Sequence, residues 1–206
     1  SPIEKGIALL PGGWSEKIGE ITQDALLRAL KLATRSLRDD AVDASPHLHS
    51  LGVALSGAVG GVFGWAALPL ELPLSTTLML RSIADIARAH GESVSATETQ
   101  MQCLLVFSMG GRSNADDGTD SGYFATRIAL AKAMADATAY IAQQGAISHG
   151  APALLRFITL VASRFNLQVT HKVAATAVPV VGAASGALIN TLFINHYQET
   201  ARGHFT

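Results

Sequence analysis

The sequence is short of cysteine: Cys103 is the only one among 206 residues. A single cysteine cannot form an intramolecular disulfide, so a disulfide-stapled scaffold is excluded and a reducing compartment is expected. Cys103 lies within the apolar run MQCLLVF, where no basic neighbour would stabilise a thiolate. We therefore expect Cys103 to be a small buried hydrophobic side chain and not a nucleophile.

Charge is also scarce, and neither sign dominates. Charged residues form 15% of the chain, and the formal net charge is -1. A nucleic-acid-binding domain normally carries a basic patch that neutralises phosphates, and this composition offers none. Aromatic residues form only 6%, whereas 49% of residues are hydrophobic and 19 are glycine. We therefore exclude a nucleic-acid partner and expect helices that pack closely through small side chains.

The motifs of common catalytic and cofactor sites are missing as well. The chain contains no HExxH zinc motif, no GxSxG nucleophile elbow, no P-loop and no dinucleotide-binding fingerprint. His47 and His49 form an HLH pair, but no carboxylate or cysteine accompanies them at metal-ligand spacing, which favours a solvated loop. We therefore predict neither a cofactor nor a metal.

What the chain does have is helical periodicity. Apolar residues recur every three or four positions, and no segment alternates with a period of two, so strands lack support. We predict an all-α protein: one compact domain over residues 1–206 with about seven or eight helices. The helices expected from spacing and end signals cover residues 15–37, 95–109, 123–144, 151–165, 168–177 and about 181–202.

Two stretches combine small residues with prolines, and each predicts a helical hairpin with a proline corner. In the first, Gly57, Gly60, Gly61 and Gly64 form one bare helical stripe, and LPLELP, with Pro69 and Pro73, forms the corner. The helix after it places five apolar residues on one side and ends at Gly91; they are Leu74, Leu78, Ile83, Ile86 and Ala87.

The second hairpin lies near the C-terminus. Its corner is at Pro179, and its stripe of small residues is Gly182, Ala183, Gly186 and Ala187. Because such stripes let two backbones approach closely, we expect the two stripes to face one another. The alternative is that they join two copies of the chain as a homodimer.

The segments GAVGGVFGWAALPLELP, RSIADIA and KVAATAVPVVGAASGALIN resemble the EcsC protein family of bacteria. The resemblance covers 51–91 and 172–206 with good specificity, and the middle of the chain only in its helix content. It implies a helical bacterial protein found in membrane or transport contexts, and it carries no set of catalytic residues.

Long uncharged runs raise the question of a membrane. Residues 51–70 and 173–195 contain no basic or acidic side chain, which meets the length of a membrane span. Their many small residues, their prolines and Asn190 favour buried hairpins or reversible membrane association over spanning. The N-terminus lacks a basic segment followed by an apolar stretch, so no signal peptide is expected. We predict a cytoplasmic protein, peripheral to the inner membrane.

Polar residues within apolar surroundings are the candidate site. One hypothesis is that five of them converge near the corners; they are Glu71, Arg81, Asp85, Asn190 and His196. The alternative, which we favour, is structural. Glu71 then lies at a helix N-terminus, where the helix dipole favours a carboxylate, and Arg81 forms an ordinary ion pair with Asp85.

Two functions follow from these observations. The first is a helical binding protein at the bacterial membrane periphery, with a lipid, another apolar ligand or a membrane protein as partner. The second is a hydrolase in which Glu71, Asp85 and His196 act as acid and base. The missing motifs favour the first. Glu71 and His196 within hydrogen-bond reach in an open cleft would support the second.

Overall fold

The computed structural model describes residues 13–36, 50–56, 68–109, 120–144, 152–176 and 182–206. Every regular element in these ranges is an α-helix, which confirms the all-α prediction, and the seven helices found there match the predicted number. They are α1 (Trp14–Ser36), α2 (50–56), α3 (Leu68–Ala89), α4 (Thr97–Met109), α5 (Asp120–Gln144), α6 (Pro152–Thr176) and α7 (Gly182–Phe205).

The short helix α4 forms the centre of the hydrophobic core. It contacts α1, α3, α5, α6 and α7, and most of its side chains are buried. A helix that is apolar on all sides can be stable only when other helices surround it. Phe107 of α4 packs edge-on against Phe165 of α6, with ring centroids 5.2 Å apart, and lies 4.9 Å from the ring of Tyr197 of α7. The described helices therefore share one core.

Helix α3 differs from the prediction at its start. The corner expected over LPLELP, with Pro69 and Pro73, is wrong, because α3 begins at Leu68 and continues through Pro73 as helix. Proline removes one backbone donor and crowds the carbonyl four residues earlier, here that of Pro69. Only about one turn of α3 precedes Pro73, so the lost hydrogen bond and the steric crowding affect only the start of the helix. The hydroxyl of Thr77 donates to the carbonyl oxygen of Pro73 at 2.7 Å.

The end of α3 agrees with the prediction. The N–H of Glu92 donates to the carbonyl of Ala87, and the N–H of Gly91 donates to that of Arg88. These are the two hydrogen bonds of a Schellman motif, which needs a left-handed residue after the helix. Gly91, with φ of 90°, supplies it.

Two further expectations concern the second half of the chain. The two helices predicted over 151–165 and 168–177 are one continuous helix, α6, because no glycine or proline interrupts the sequence between them. The predicted contact between the glycine stripes cannot be followed, since Gly57 to Gly64 and the Pro179 corner lie outside the described residues, as does the HLH pair. Gly186 of the second stripe is buried.

Hydrogen bonds define how α2, α3 and α7 lie against one another. Asn190 of α7 bonds to Glu71 of α3, and Gln198, two turns later, bonds to Ser82. The partners advance along both helices in the same direction, so α3 and α7 are parallel. Asn190 also bonds to Ser56 of α2 and Gln198 to Ser50, so α2 runs antiparallel to both.

Candidate functional site

The first feature of the candidate site is a buried amide between three helices. Asn190 is 0% exposed, and its Nδ2 donates to the carbonyl of Val53 at 2.8 Å and to Oε1 of Glu71 at 3.0 Å. The hydroxyl of Ser56 lies 3.3 Å from the same nitrogen and itself donates to the Val53 carbonyl at 2.9 Å. One side chain of α7 therefore connects α2 to the first turn of α3.

This arrangement is rich in acceptors and poor in donors. The Asn190 amide carries two protons, and three acceptors lie within reach of its nitrogen. Its Oδ1 is buried and has no hydrogen-bond partner in the part of the chain that the structure describes. An unpaired buried acceptor lowers the free energy of unfolding. The network holds three helices in one specific packing, but its net contribution to stability is smaller than the number of its hydrogen bonds suggests.

A second buried amide lies about two turns further along α7. Gln198 donates to the hydroxyl of Ser82 at 2.8 Å and to that of Ser50 at 3.3 Å. Together the two amides set the register of α2 and α7 against α3, because each pairs with residues on both partners. The sequence analysis grouped Glu71 with Asn190, but it gave no sign of the pair between Gln198 and Ser82, which lie more than 100 positions apart in the chain.

Of the five predicted site residues, the structure brings Glu71 and Asn190 together. Glu71 is buried in the first turn of α3, where the helix dipole favours a carboxylate. Asp85 is fourteen residues further along the same helix, which at 1.5 Å per residue places it about 20 Å away. Its ion pair is with Arg88, at 3.1 Å, in place of the pair expected with Arg81.

His196 lies on a different side of α7 from Asn190. Six residues separate them, which is about 9 Å along the helix and about 120° around it. His196 is exposed, whereas Glu71 is buried against Asn190. Glu71, Asp85 and His196 are therefore not assembled as an acid and base pair around one cleft, and the hydrolase hypothesis gains no support from the geometry.

The second feature of the candidate site is a set of exposed leucines on the three helices joined by Asn190. They occur as pairs four residues apart, one pair on each helix, and between 52% and 82% of each residue is exposed. We call this set the leucine surface; it consists of Leu51 and Leu55 of α2, Leu70 and Leu74 of α3, and Leu188 and Leu192 of α7.

The pairs on α3 and α7 lie at the same level. Asn190 meets a residue 119 positions earlier in the chain and Gln198 one 116 positions earlier. Leu188 follows Leu70, and Leu192 follows Leu74, by a sequence separation that falls between these two values. The α3 and α7 pairs therefore lie at the same height along the bundle. Large exposed apolar patches are rare on monomeric proteins and mark interaction surfaces.

The helical segments that carry the leucine surface have no exposed acidic or basic side chain of their own. Within 50–56, 68–80 and 182–195 the only ionisable acidic or basic side chain is that of Glu71, which is 6% exposed. Exposed or partly exposed charges on α3 and α7 begin further along, at Arg81 and Glu199. Along these three ranges the helices therefore present leucine and small polar residues without an exposed charged group.

The opposite end of α3 and α7 forms a polar cleft with a volume of about 430 Å³. Its lining includes Glu92, Glu98 and Gln102, and Oε1 of Gln102 lies 2.7 Å from Nε2 of His204. The hydroxyl of Thr99 donates to Glu92 at 3.4 Å. We call this the acidic cleft. No group of His, Cys, Asp and Glu suited to a metal ion occurs here or elsewhere in the described ranges.

Cys103 lies in the core near this cleft. Burial and, to a smaller extent, the negative charge of Glu92 together raise the pKa of its thiol to about 12. The thiol is therefore protonated at neutral pH and a poor nucleophile, as its apolar sequence context indicates.

The sequence analysis missed the leucine surface. It placed Leu74 on the same side of α3 as Ile83 and Ile86; those two are buried, whereas Leu74 is 52% exposed. The available signal was the pairing of leucines four apart within uncharged segments. Periodicity shows that such residues share a helical face, but not whether another helix covers that face.

Comparison with models of known families finds a match to the EcsC protein family over residues 15–206. No curated protein and no solved structure gives a significant match. Among the described helices, none is both long enough and apolar enough to cross a lipid bilayer.

Proposed function

We propose that this chain, which belongs to the EcsC protein family, is a helical binding protein that associates reversibly with the bacterial membrane periphery. The observation that supports this function is the leucine surface, three leucine pairs exposed on three hydrogen-bonded helices whose segments 50–56, 68–80 and 182–195 have no exposed charge. Lipid is the partner that this surface fits best.

The free energy that burial of the exposed leucines can contribute is of the size expected for reversible membrane binding. Burying a fully exposed leucine contributes about 1.5 to 3 kcal/mol, so a half-exposed one contributes about 1 kcal/mol. Six such residues together supply at most about 6 kcal/mol. This is close to the binding energy of a single myristoyl chain, which holds a protein to a bilayer only reversibly. Association through side chains also agrees with described helices that cannot span the membrane.

Co-sedimentation with phospholipid vesicles tests the proposal. The double variant Leu188→Ser with Leu192→Ser removes one pair of the leucine surface, and we expect its vesicle-bound fraction to fall about tenfold or more. Both residues are about 60% exposed, so the fold should not change. Thermal melting of the variant monitors that expectation.

The matched control is Ile128→Ser. Ile128 is 68% exposed on α5, outside the leucine surface, and its replacement should leave vesicle binding unchanged. Equal losses in the control and the double variant would mean that binding does not use the leucine surface. Absence of binding by the original protein, with a concentration-dependent dimer in its place, would assign the surface to a second copy of the chain and overturn the proposal.

A further inference from the structure

We draw no further inference here: the strongest candidate, the acidic cleft between the end of α3, the start of α4 and the end of α7, owes its charge to two exposed glutamates, Glu92 and Glu98, and none of the buried, unpartnered side-chain atoms of the described residues lines it to indicate a ligand.

Discussion

The leucine surface and the acidic cleft lie at opposite ends of the same two parallel helices, α3 and α7. At one end, leucines project from helical segments that have no exposed charge. At the other, Glu92 and Glu98 line a cleft with His204. A buried amide joins α7 to α3 toward each end, Asn190 near the leucines and Gln198 toward the cleft. Hydrogen bonds from a buried amide therefore join α7 to α3 beneath two surfaces of different character.

The difference shows that interior and surface are specified separately. Helix packing depends on buried residues such as Leu104, and on the amide pairs that set the register. The side chains on the outer faces can vary without changing that packing. Exposed leucine is therefore a property that the fold tolerates but does not need, and the binding role that we propose would account for it.

The largest expected effect comes from replacing a leucine by alanine in the core, compared with the same replacement on the leucine surface. Leu104→Ala in α4 should lower the free energy of unfolding by about 2 to 5 kcal/mol, because Leu104 is 0% exposed and its loss leaves a cavity. Leu192→Ala should change it by less than about 0.5 kcal/mol. Urea denaturation measures both. A loss of about 2 kcal/mol at Leu192 would show that the leucine surface is part of the core.

The next effect concerns the amide near the leucines. Asn190→Ala should cost about 2 to 3 kcal/mol, since it removes the donor that Glu71 and the Val53 carbonyl share. Glu71→Gln keeps a side-chain oxygen that accepts this bond, and should cost about 1 kcal/mol or less while leaving vesicle binding unchanged. If Glu71→Gln instead abolished binding without loss of stability, Glu71 would belong to a ligand site.

A third effect concerns pH at the other end of the bundle. The pKa of Cys103 is raised from 9.0 to about 12 in the folded protein, so above pH 9 the unfolded chain releases a proton that the folded chain retains. Stability is therefore unaffected below pH 9 and declines as pH rises from 9 toward 12, by about 1.4 kcal/mol for each unit.

Comparing the pH dependence of unfolding with that of Cys103→Ala isolates this contribution, because other groups titrate equally in both proteins. The Ala variant should show the shallower decline above pH 9. Glu92→Gln should move the onset of thiol ionisation in the folded protein to lower pH, because the charge of Glu92 is the second cause of the shift. An unchanged decline in Cys103→Ala would show that the thiol is accessible to water.

The smallest effect distinguishes two helical glycines. A methyl group at Gly203 of α7 would meet no atom within 4 Å, so Gly203→Ala should raise stability by about 0.5 kcal/mol through helix propensity. At Gly52 of α2 the same group would lie 3.2 Å from Cδ1 of Leu78. Gly52→Ala should therefore gain less, or lose stability. Thermal melting of the two variants side by side gives the comparison.

Much of the architecture could be read from local patterns. The spacing of apolar residues predicted α1 and α5 to within three residues at each end, and Gly91 correctly ended α3. Errors arose where a local rule has exceptions that depend on position. Pro73 breaks a helix in its middle but is tolerated near its start, and α6 continues where two helices were expected.

The candidate site was predicted only in part. Glu71 and Asn190 were singled out as polar residues in apolar segments, and they do meet. Their partners Val53 and Ser56 carried no signal, because a backbone carbonyl and a serine in an apolar run are common. Asp85 and Arg88 paired in place of Asp85 and Arg81, because either arginine can reach the carboxylate along a helix and packing selects one.

The sequence by itself determined the helical class, the family and the uncharged character of the segments around the leucines, because composition and periodicity are local properties of the chain. Only the tertiary structure decided which helical faces became interior. Leu104 and Leu192 both belong to apolar stretches, but α4 is enclosed by five helices, whereas Leu192 on α7 is 59% exposed. Burial depends on the arrangement of all the helices together, and so no single helix encodes it.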